Sequence, residues 1–595
     1  MADPAAAPAA PRAAPAWVPA WAVPLSTRPG QIGTRTDRWE VPAPLSGLVQ
    51  AAGVVALLAH VVGMWTTGFH SQDGPAHLFA ASALGRLLAG EQGLLAAVYE
   101  LNPQADPNWI TYPVLAAGLR IASPAVVELA VVSLLAVGTA AALWYAVTAA
   151  GRRCAPVAVA GLPLAVGWSL HTGLYNFTAS VALMLGIVGY QLRVADRPGL
   201  RRSLLLAVLL IVLYFSHPLS LAGAYAIIGV IWLSGTVAAA RAHASAREAL
   251  RRLVLLVVAV APSGVLMADF LAHPEAVRPR EVPRGLWRSL VDTVLLRWPI
   301  GAIGGEDAGW SAVVAAALWG AVVVLMGRRV LRRDWSRWDA LGGLPLAVGA
   351  GAVLLPDRLA GGTLVQPRLA IIAALTLLLW MAVANAGTRL LPWLAVGMAV
   401  VSTIAMVALL QSRMQAYDLI DDAAGEVVAT APSIAPGSLV LGAVSTGAPD
   451  LPSTVPLVHI VDRLLVVADA VPVLTLDAGS GYGPIRYRTR FDPGPALRGL
   501  PRNRVHGRAV PPEAFAAIAR RYATFTGRGV DYLVLVGYDL QPADIGRFRA
   551  HGFRLVRHTL PTGLVSLFAV PRPVSAPVQP PSYSLASPPA ADARA

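Results

Sequence analysis

The chain has 595 residues, 56% hydrophobic and 13% charged, with a mean hydropathy of +0.59. Soluble domains carry about 25% charged residues, so a soluble globular protein is excluded and the chain reads as an integral membrane protein. The formal charge of +14 comes without a single lysine, which excludes a Lys Schiff base and a P-loop lysine, and the lone cysteine, Cys154, excludes an internal disulfide, a zinc ribbon and a Cys-pair redox centre.

Residues 1–44 are rich in Ala and Pro and read as a disordered leader, without a signal-peptide pattern. Residues 45–412 read as the transmembrane domain. Its first apolar run, Leu45 to Trp65, has the length of one crossing. His60 inside that run reads as a packed residue rather than a ligand. Polar groups first gather in the next stretch, Thr66 to Tyr112, which holds Asp73, His77, Arg86, Glu100 and Asp106 beside Trp109 and Tyr112. Ionised groups are expensive inside a bilayer, so a polar loop between spans, here residues 67–123, is where chemistry belongs. A second run, Pro124 to Ala150, has Glu128 near its start, facing an interface or other helices. Further runs lie at about 155–169, 174–192, 203–216, 219–240, 253–271, 310–326, 341–356, 368–385 and 391–410. Together they predict about 11 transmembrane helices.

A basic chain suggests a nucleic acid partner, but these arginines lie between apolar runs. With the N-terminus in the cytoplasm, the inside loops hold Arg152, Arg153, Arg193, Arg197, Arg201, Arg202, Arg241, Arg247, Arg251, Arg252, Arg328, Arg329, Arg332, Arg333, Arg337 and Arg389. The short outside loops near residues 170 and 217 hold none. That asymmetry is the positive-inside pattern, so no nucleic acid partner is expected. It places Asp73, His77, His171, Asn176, His217, His273, Glu275, Glu306, Asp307 and the segment 357–368 on the outer face. Five arginines between residues 272 and 309 depart from the pattern; there Leu286 to Leu296 predicts an amphipathic surface helix with Trp287 and Trp298 as anchors. The segment Asp357 to Arg368 is a Gly-rich turn flanked by Arg358 and Arg368. It reads as a phosphate contact at a helix start or as an ordinary turn.

Residues 413–572 read as an α/β domain on the extracytoplasmic side. Ser438–Val444, Val471–Leu476, Tyr532–Val536 and Leu564–Ala569 read as buried strands, and Pro512 to Phe525 and Pro542 to His551 as helices. Residues 479–490 are rich in Gly but lack the spacing and following helix of a nucleotide loop; a loop dipping back toward the membrane is expected. Residues 573–595 read as a disordered tail.

A long first outer loop with an acidic residue just after the first span, many helices and a terminal extracytoplasmic α/β domain resemble the GT-C superfamily of membrane glycosyltransferases. The element Asp73-Gly74-Pro75-Ala76-His77-Leu78 is also similar to a group of bacterial membrane proteins with a DGPxHL motif. In that group a Gly-rich turn with a following arginine (Gly361, Gly362, Arg368) and a His, Asp-Arg, Gly-Tyr pattern (His459, Asp462, Arg463, Gly481, Tyr482) recur. The resemblance covers about residues 45–570. It implies a multi-pass protein of the plasma membrane that moves a sugar from a polyprenyl-phosphate donor to an acceptor outside, with inversion. Asp73 would be the base; His77, Glu100, Trp109, Tyr112, His217, Arg358 and Arg368 would bind substrate. Here Asp73 is followed by Gly74 rather than a second carboxylate, so no metal site and no cofactor is expected. The rival readings are a transporter or flippase, and a non-catalytic membrane scaffold.

Overall fold

The computed structural model describes residues 41–241, 245–272, 285–359, 362–445, 454–479, 483–494, 512–538 and 540–571. Among these, eight helices are long and apolar enough to cross a membrane: Ala43–Thr67, Pro124–Thr148, Tyr175–Val194, Pro218–Arg241, Ala246–Ala272, Gly305–Arg332, Val365–Asn385 and the one that begins at Leu390. The pair Arg152–Ala160 and Leu162–His171, bent by 55°, makes nine if it counts as one span. The eleven runs expected from the sequence are all helical, and eight or nine of them are long and apolar enough to cross on those grounds alone. One run breaks at Gly161-Leu162-Pro163. Two are short: Leu200–Ser216 has 17 residues and Gly343–Leu354 has 12. At about 1.5 Å per residue each is shorter than the roughly 30 Å of a bilayer core, yet both carry the chain from one end of the bundle to the other: Leu200–Ser216 between the Arg193 end and His217, and Gly343–Leu354 between Asp339, beside Arg329, and Leu355, whose carbonyl accepts from Gln366.

Burial orders the bundle. Val365–Asn385 is apolar all round, and 89% of its most apolar stretch is buried, so it is the central helix. Ala246–Ala272 buries only 17% of its stretch, the least of the eight. Two buried arginines fasten opposite ends. Arg413 donates to Asp307 Oδ2 (3.0 Å), the Val166 carbonyl (2.7 Å) and the Ile300 carbonyl (2.9 Å). Arg329 donates to Asn385 Oδ1 (3.0 Å) and Asp339 Oδ2 (2.7 Å). The arginines at the Arg193, Arg201, Arg241, Arg252 and Arg332 helix ends share the Arg329 side. Asp73 lies at the other.

The helix Leu390–Val428 has 39 residues and continues beyond its apolar part as a charged stalk carrying Asp418, Asp421 and Glu426. It leads into a five-stranded sheet. The strands are β2 (Leu439–Val444), β3 (Val471–Pro472), β5 (Tyr532–Val536), β6 (Arg554–His558) and β7 (Val565–Ala569), in the order β3-β2-β5-β7-β6. β2 is parallel to β3 and β5; β7 is antiparallel to β5 and β6. Alternate residues go to two cores. Leu439, Leu441, Leu533, Leu535 and Phe568 pack with Phe515 and Phe548 of the helices Pro512–Thr526 and Pro542–Ala550. Val440, Val534, Val536 and Leu567 pack with Ile460, Leu464 and the stalk residues Ile420 and Ala424. A sheet covered on both faces has strands apolar at every position, which is why β2, β5 and β7 read clearly in the sequence, whereas β6, with Arg554, Arg557 and His558, did not. The helix Pro512–Thr526 and the strand Tyr532–Val536 match the expectation closely. Val471–Leu476 does not: only Val471 and Pro472 pair, and the chain then turns out of the sheet. The surface helix is present as Leu286–Val294, with Trp287 exposed. His273, Glu275, Gly361, Gly481 and Tyr482 lie outside the described residues.

A two-stranded ribbon joins the first long loop to the sheet domain. β1 (Tyr99–Leu101) pairs antiparallel with β4 (Ile485–Tyr487). Ile485–Tyr487 of the Gly-rich segment thus return to the first long loop.

Candidate functional site at the joint of the two halves

Helix Gly74–Leu88 starts at Gly74-Pro75, where proline's fixed φ and missing N–H suit a first turn. Asp73 holds the N-cap position. A capping Asp normally accepts from the backbone N–H groups of the first turn; the Asp73 carboxylate makes no such bond. It is therefore not consumed by the helix, yet it sits in the favourable field of the helix start.

Backbone and side-chain contacts hold the segment that ends at Asp73. Gln72 N donates to the His171 carbonyl (2.9 Å) and Asp73 N to the Thr172 carbonyl (3.0 Å). Glu128, fully buried, accepts from Ser71 Oγ (2.9 Å) and Tyr175 Oη (2.8 Å). Glu128 also meets Arg463 Nη1 at 3.4 Å, Arg463 reaches His70, and His70 Nε2 lies 2.7 Å from Asp421 Oδ1. Gly74 is required here: a Cβ on it would lie 2.2 Å from Glu128 Oε1 and 2.5 Å from Tyr175 Oη. Gly74→Ala is expected to cost about 1–3 kcal/mol, the usual cost of overpacking, and to lower the melting temperature in detergent; an unchanged melting curve contradicts this packing.

The loop and the sheet domain then interleave their acids and imidazoles. His459, just before the helix Ile460–Val467, places Nε2 3.6 Å from Asp73 Oδ1. Asp477, on the turn after β3, places Oδ2 3.0 Å from His77 Nδ1. Tyr112 Oη lies 3.1 Å from the same nitrogen, and the Tyr175 ring packs 5.5 Å from the His77 ring. All four acids and imidazoles are largely buried. Burial disfavours the charged form of His77, but the Asp477 carboxylate outweighs it and raises His77 above the ordinary imidazole range. Burial lowers His459 below that range, against the pull of Asp73 and Asp477. Asp462, on the same helix as Arg463, is pushed well above the usual carboxylate range by burial and by the Asp477 charge.

The structure thus brings together Asp73, His77 and Tyr112 of the candidates. His77, expected to bind substrate, has Asp477 as its partner at 3.0 Å. Trp109 and Tyr112 belong to a segment tied to helix Tyr175–Val194: Thr111 N and Oγ1 both donate to Asn176 Oδ1 at 3.0 Å. Trp109 N donates to the Phe215 carbonyl (2.7 Å). His217 and Arg368 form a neighbouring group around Phe177, with the His217 ring edge-on at 5.2 Å and the Arg368 guanidinium at 5.5 Å. Glu100 lies elsewhere, on β1, paired with Arg486 (2.8 Å) and Arg488 (3.4 Å). Arg358 is exposed on the turn before helix Val365–Asn385. Sequence reasoning gave no role to Asp477 or Tyr175 and left Glu128 at an interface or facing other helices, the second of which it does through Tyr175. The signal for Asp477 is a carboxylate ending an apolar run. Among the described residues, no group of three or more His, Cys, Asp or Glu is placed to hold a metal ion.

Two solved structures are similar to the chain. One is the crystal structure of ArnT from Cupriavidus metallidurans in the apo state: 14% identity, 89% of this chain and 98% of that one, TM-score 0.48. The other is the cryo-EM structure of the arabinofuranosyltransferase AftD from Mycobacteria: 15% identity, 88% of this chain and 40% of that one, TM-score 0.43. No family model and no curated protein matches the sequence. At such identity and overlap the likeness assigns no residue a role and no substrate to the chain.

Proposed function

We propose that the chain is a membrane glycosyltransferase of the GT-C type, moving a sugar from a polyprenyl-phosphate donor to an acceptor on the extracytoplasmic side with inversion. The observation that carries this reading is the Asp73 carboxylate, buried at a loop-to-helix junction, spared from capping and set 3.6 Å from an imidazole. Inverting transfer needs one carboxylate to take the acceptor proton as the hydroxyl attacks the sugar. The leaving lipid phosphate needs cations. Arg368, beside His217 at the start of the central helix, is suited to it by the bidentate geometry of its guanidinium. The arginine-rich helix ends lie opposite Asp73, which supports a plasma-membrane protein with a cytoplasmic N-terminus and the sheet domain outside. Nucleotide sugars are not found on that side, in keeping with a lipid-borne donor. The partners are then the lipid-linked donor, membrane lipids and an extracytoplasmic acceptor, with no nucleic acid and no cofactor.

The test uses the full chain in lipid nanodiscs, polyprenyl-phosphate carrying a labelled sugar, and a cell-envelope extract as acceptor. Label should move to the extract only from the lipid donor. Transfer from nucleotide sugars instead, or no transfer from any lipid-linked sugar, would contradict the proposal.

A further inference from the structure

The four central groups come in crossed pairs. The first long loop gives one acid and one imidazole, Asp73 and His77, one helical turn apart. The sheet domain gives one imidazole and one acid, His459 and Asp477. Each acid meets the imidazole of the other half, at 3.6 Å for Asp73 with His459 and 3.0 Å for Asp477 with His77. Neither half alone contains a complete pair. The halves are also pinned around this point. β1 pairs with β4, Val455 N donates to Gln72 Oε1 at 3.0 Å, and Asn102 Nδ2 donates to the Gly483 carbonyl at 2.9 Å.

We propose that the C-terminal domain completes the site: His459 positions the Asp73 carboxylate and Asp477 positions His77, so that the reacting geometry exists only while the two halves are docked. This rests on the glycosyltransfer reading. In that reaction the acceptor oxygen bonds to the anomeric carbon. The bond from that carbon to the phosphate oxygen breaks, with its electron pair leaving on the lipid phosphate. The acceptor proton passes to Asp73. Asp73 must present one oxygen to the acceptor while the rest of its carboxylate is held. Gln72 Nε2 at 3.2 Å and His459 both approach the same Oδ1, leaving Oδ2 for the proton. A buried neutral His459 does not compete for that proton as a fixed cation would, and can take it from Asp73 once the phosphate has left. His77 is held by Asp477 with Tyr112 beside the same nitrogen, which turns Nε2, its other ring atom, away from both partners. The titratable groups facing the four are Tyr112 from the loop, Tyr175 from the membrane domain, and Asp462 from the sheet domain.

The pairing and its effect on catalysis are separable by experiment. In full-length protein with isotope-labelled histidine in nanodiscs, Asp73→Asn should lower the imidazole pKa of His459 and Asp477→Asn that of His77, because each loses the carboxylate that raises it. In the transfer assay, His459→Gln and Asp477→Asn should each lower kcat at least tenfold, with KM changed by less than about twofold and melting temperature near that of the parent. If His459→Gln does not fold, Asp477→Asn carries the test. An active parent whose kcat survives both substitutions overturns this inference and leaves the glycosyltransfer reading intact. Histidine signals unmoved by Asp73→Asn and Asp477→Asn overturn the crossed pairing. A parent that transfers nothing overturns the glycosyltransfer reading, and the positioning role falls with it.

Discussion

Asp73→Asn is expected to cut transfer by about 10²–10⁴-fold, the range that general base catalysis supplies. At about 1.36 kcal/mol per tenfold, that is roughly 3–5 kcal/mol of barrier. Binding and stability should change little. The Asp73 side chain accepts one hydrogen bond, from Gln72, and an amide oxygen can accept it equally well. Its backbone contacts to Thr172 and His77 do not depend on the charge. The expected pattern is therefore a collapse of kcat at nearly constant KM, read from initial rates with labelled lipid donor. Near-normal turnover would remove Asp73 as the base.

Asp307→Ala is expected to produce the largest loss of stability. Asp307 and Arg413 form an ion pair with both side chains essentially out of solvent, 0% exposed for Arg413 and 2% for Asp307. Removing one partner leaves an uncompensated buried charge, at a cost of about 3–5 kcal/mol. It also strips the acceptor from the Ala302 and Ile303 amides, which donate to Asp307 at 2.8 and 2.9 Å. The junction at Ile300 through Ile303, the bent segment ending at His171 and the stalk helix all meet there. Loss of folded fraction under denaturing detergent reads the effect. The double replacement Asp307→Leu with Arg413→Met should be less destabilised than Asp307→Ala, because no charge remains to desolvate. Equal stability of Asp307→Ala and the parent would refute this account of the fastening.

Membrane class and the apolar segments were legible because a span is a long, unbroken pattern. Where each run is cut or bent was not, because length and straightness are set by single residues. Gly161 and Pro163 break one run, and another keeps only the 12 α-helical residues of Gly343–Leu354. In the terminal domain, β2, β5 and β7 were legible since both sheet faces are covered, so their apolar runs are continuous. β1 and β4 have three residues each and leave no periodicity to read; they form because each supplies the other's hydrogen bonds. At the site, Asp73 stood out as an acid in a polar break. Its surroundings did not. Asp477 and His77 are 400 positions apart in the chain, and nothing local in either segment encodes their meeting. The arginine candidates show the same limit. Arg358 is exposed beside its Gly-rich turn, whereas Arg463 enters a buried network through Glu128.

The most direct measurement is a structure of the Asp73→Asn protein in nanodiscs with a polyprenyl-phosphate sugar bound. The account predicts the sugar beneath the terminal domain, with the face that the acceptor attacks open to residue 73, and His459 and His77 around it. A sugar bound near the bilayer midplane between helices, or on the arginine-rich side, would contradict it.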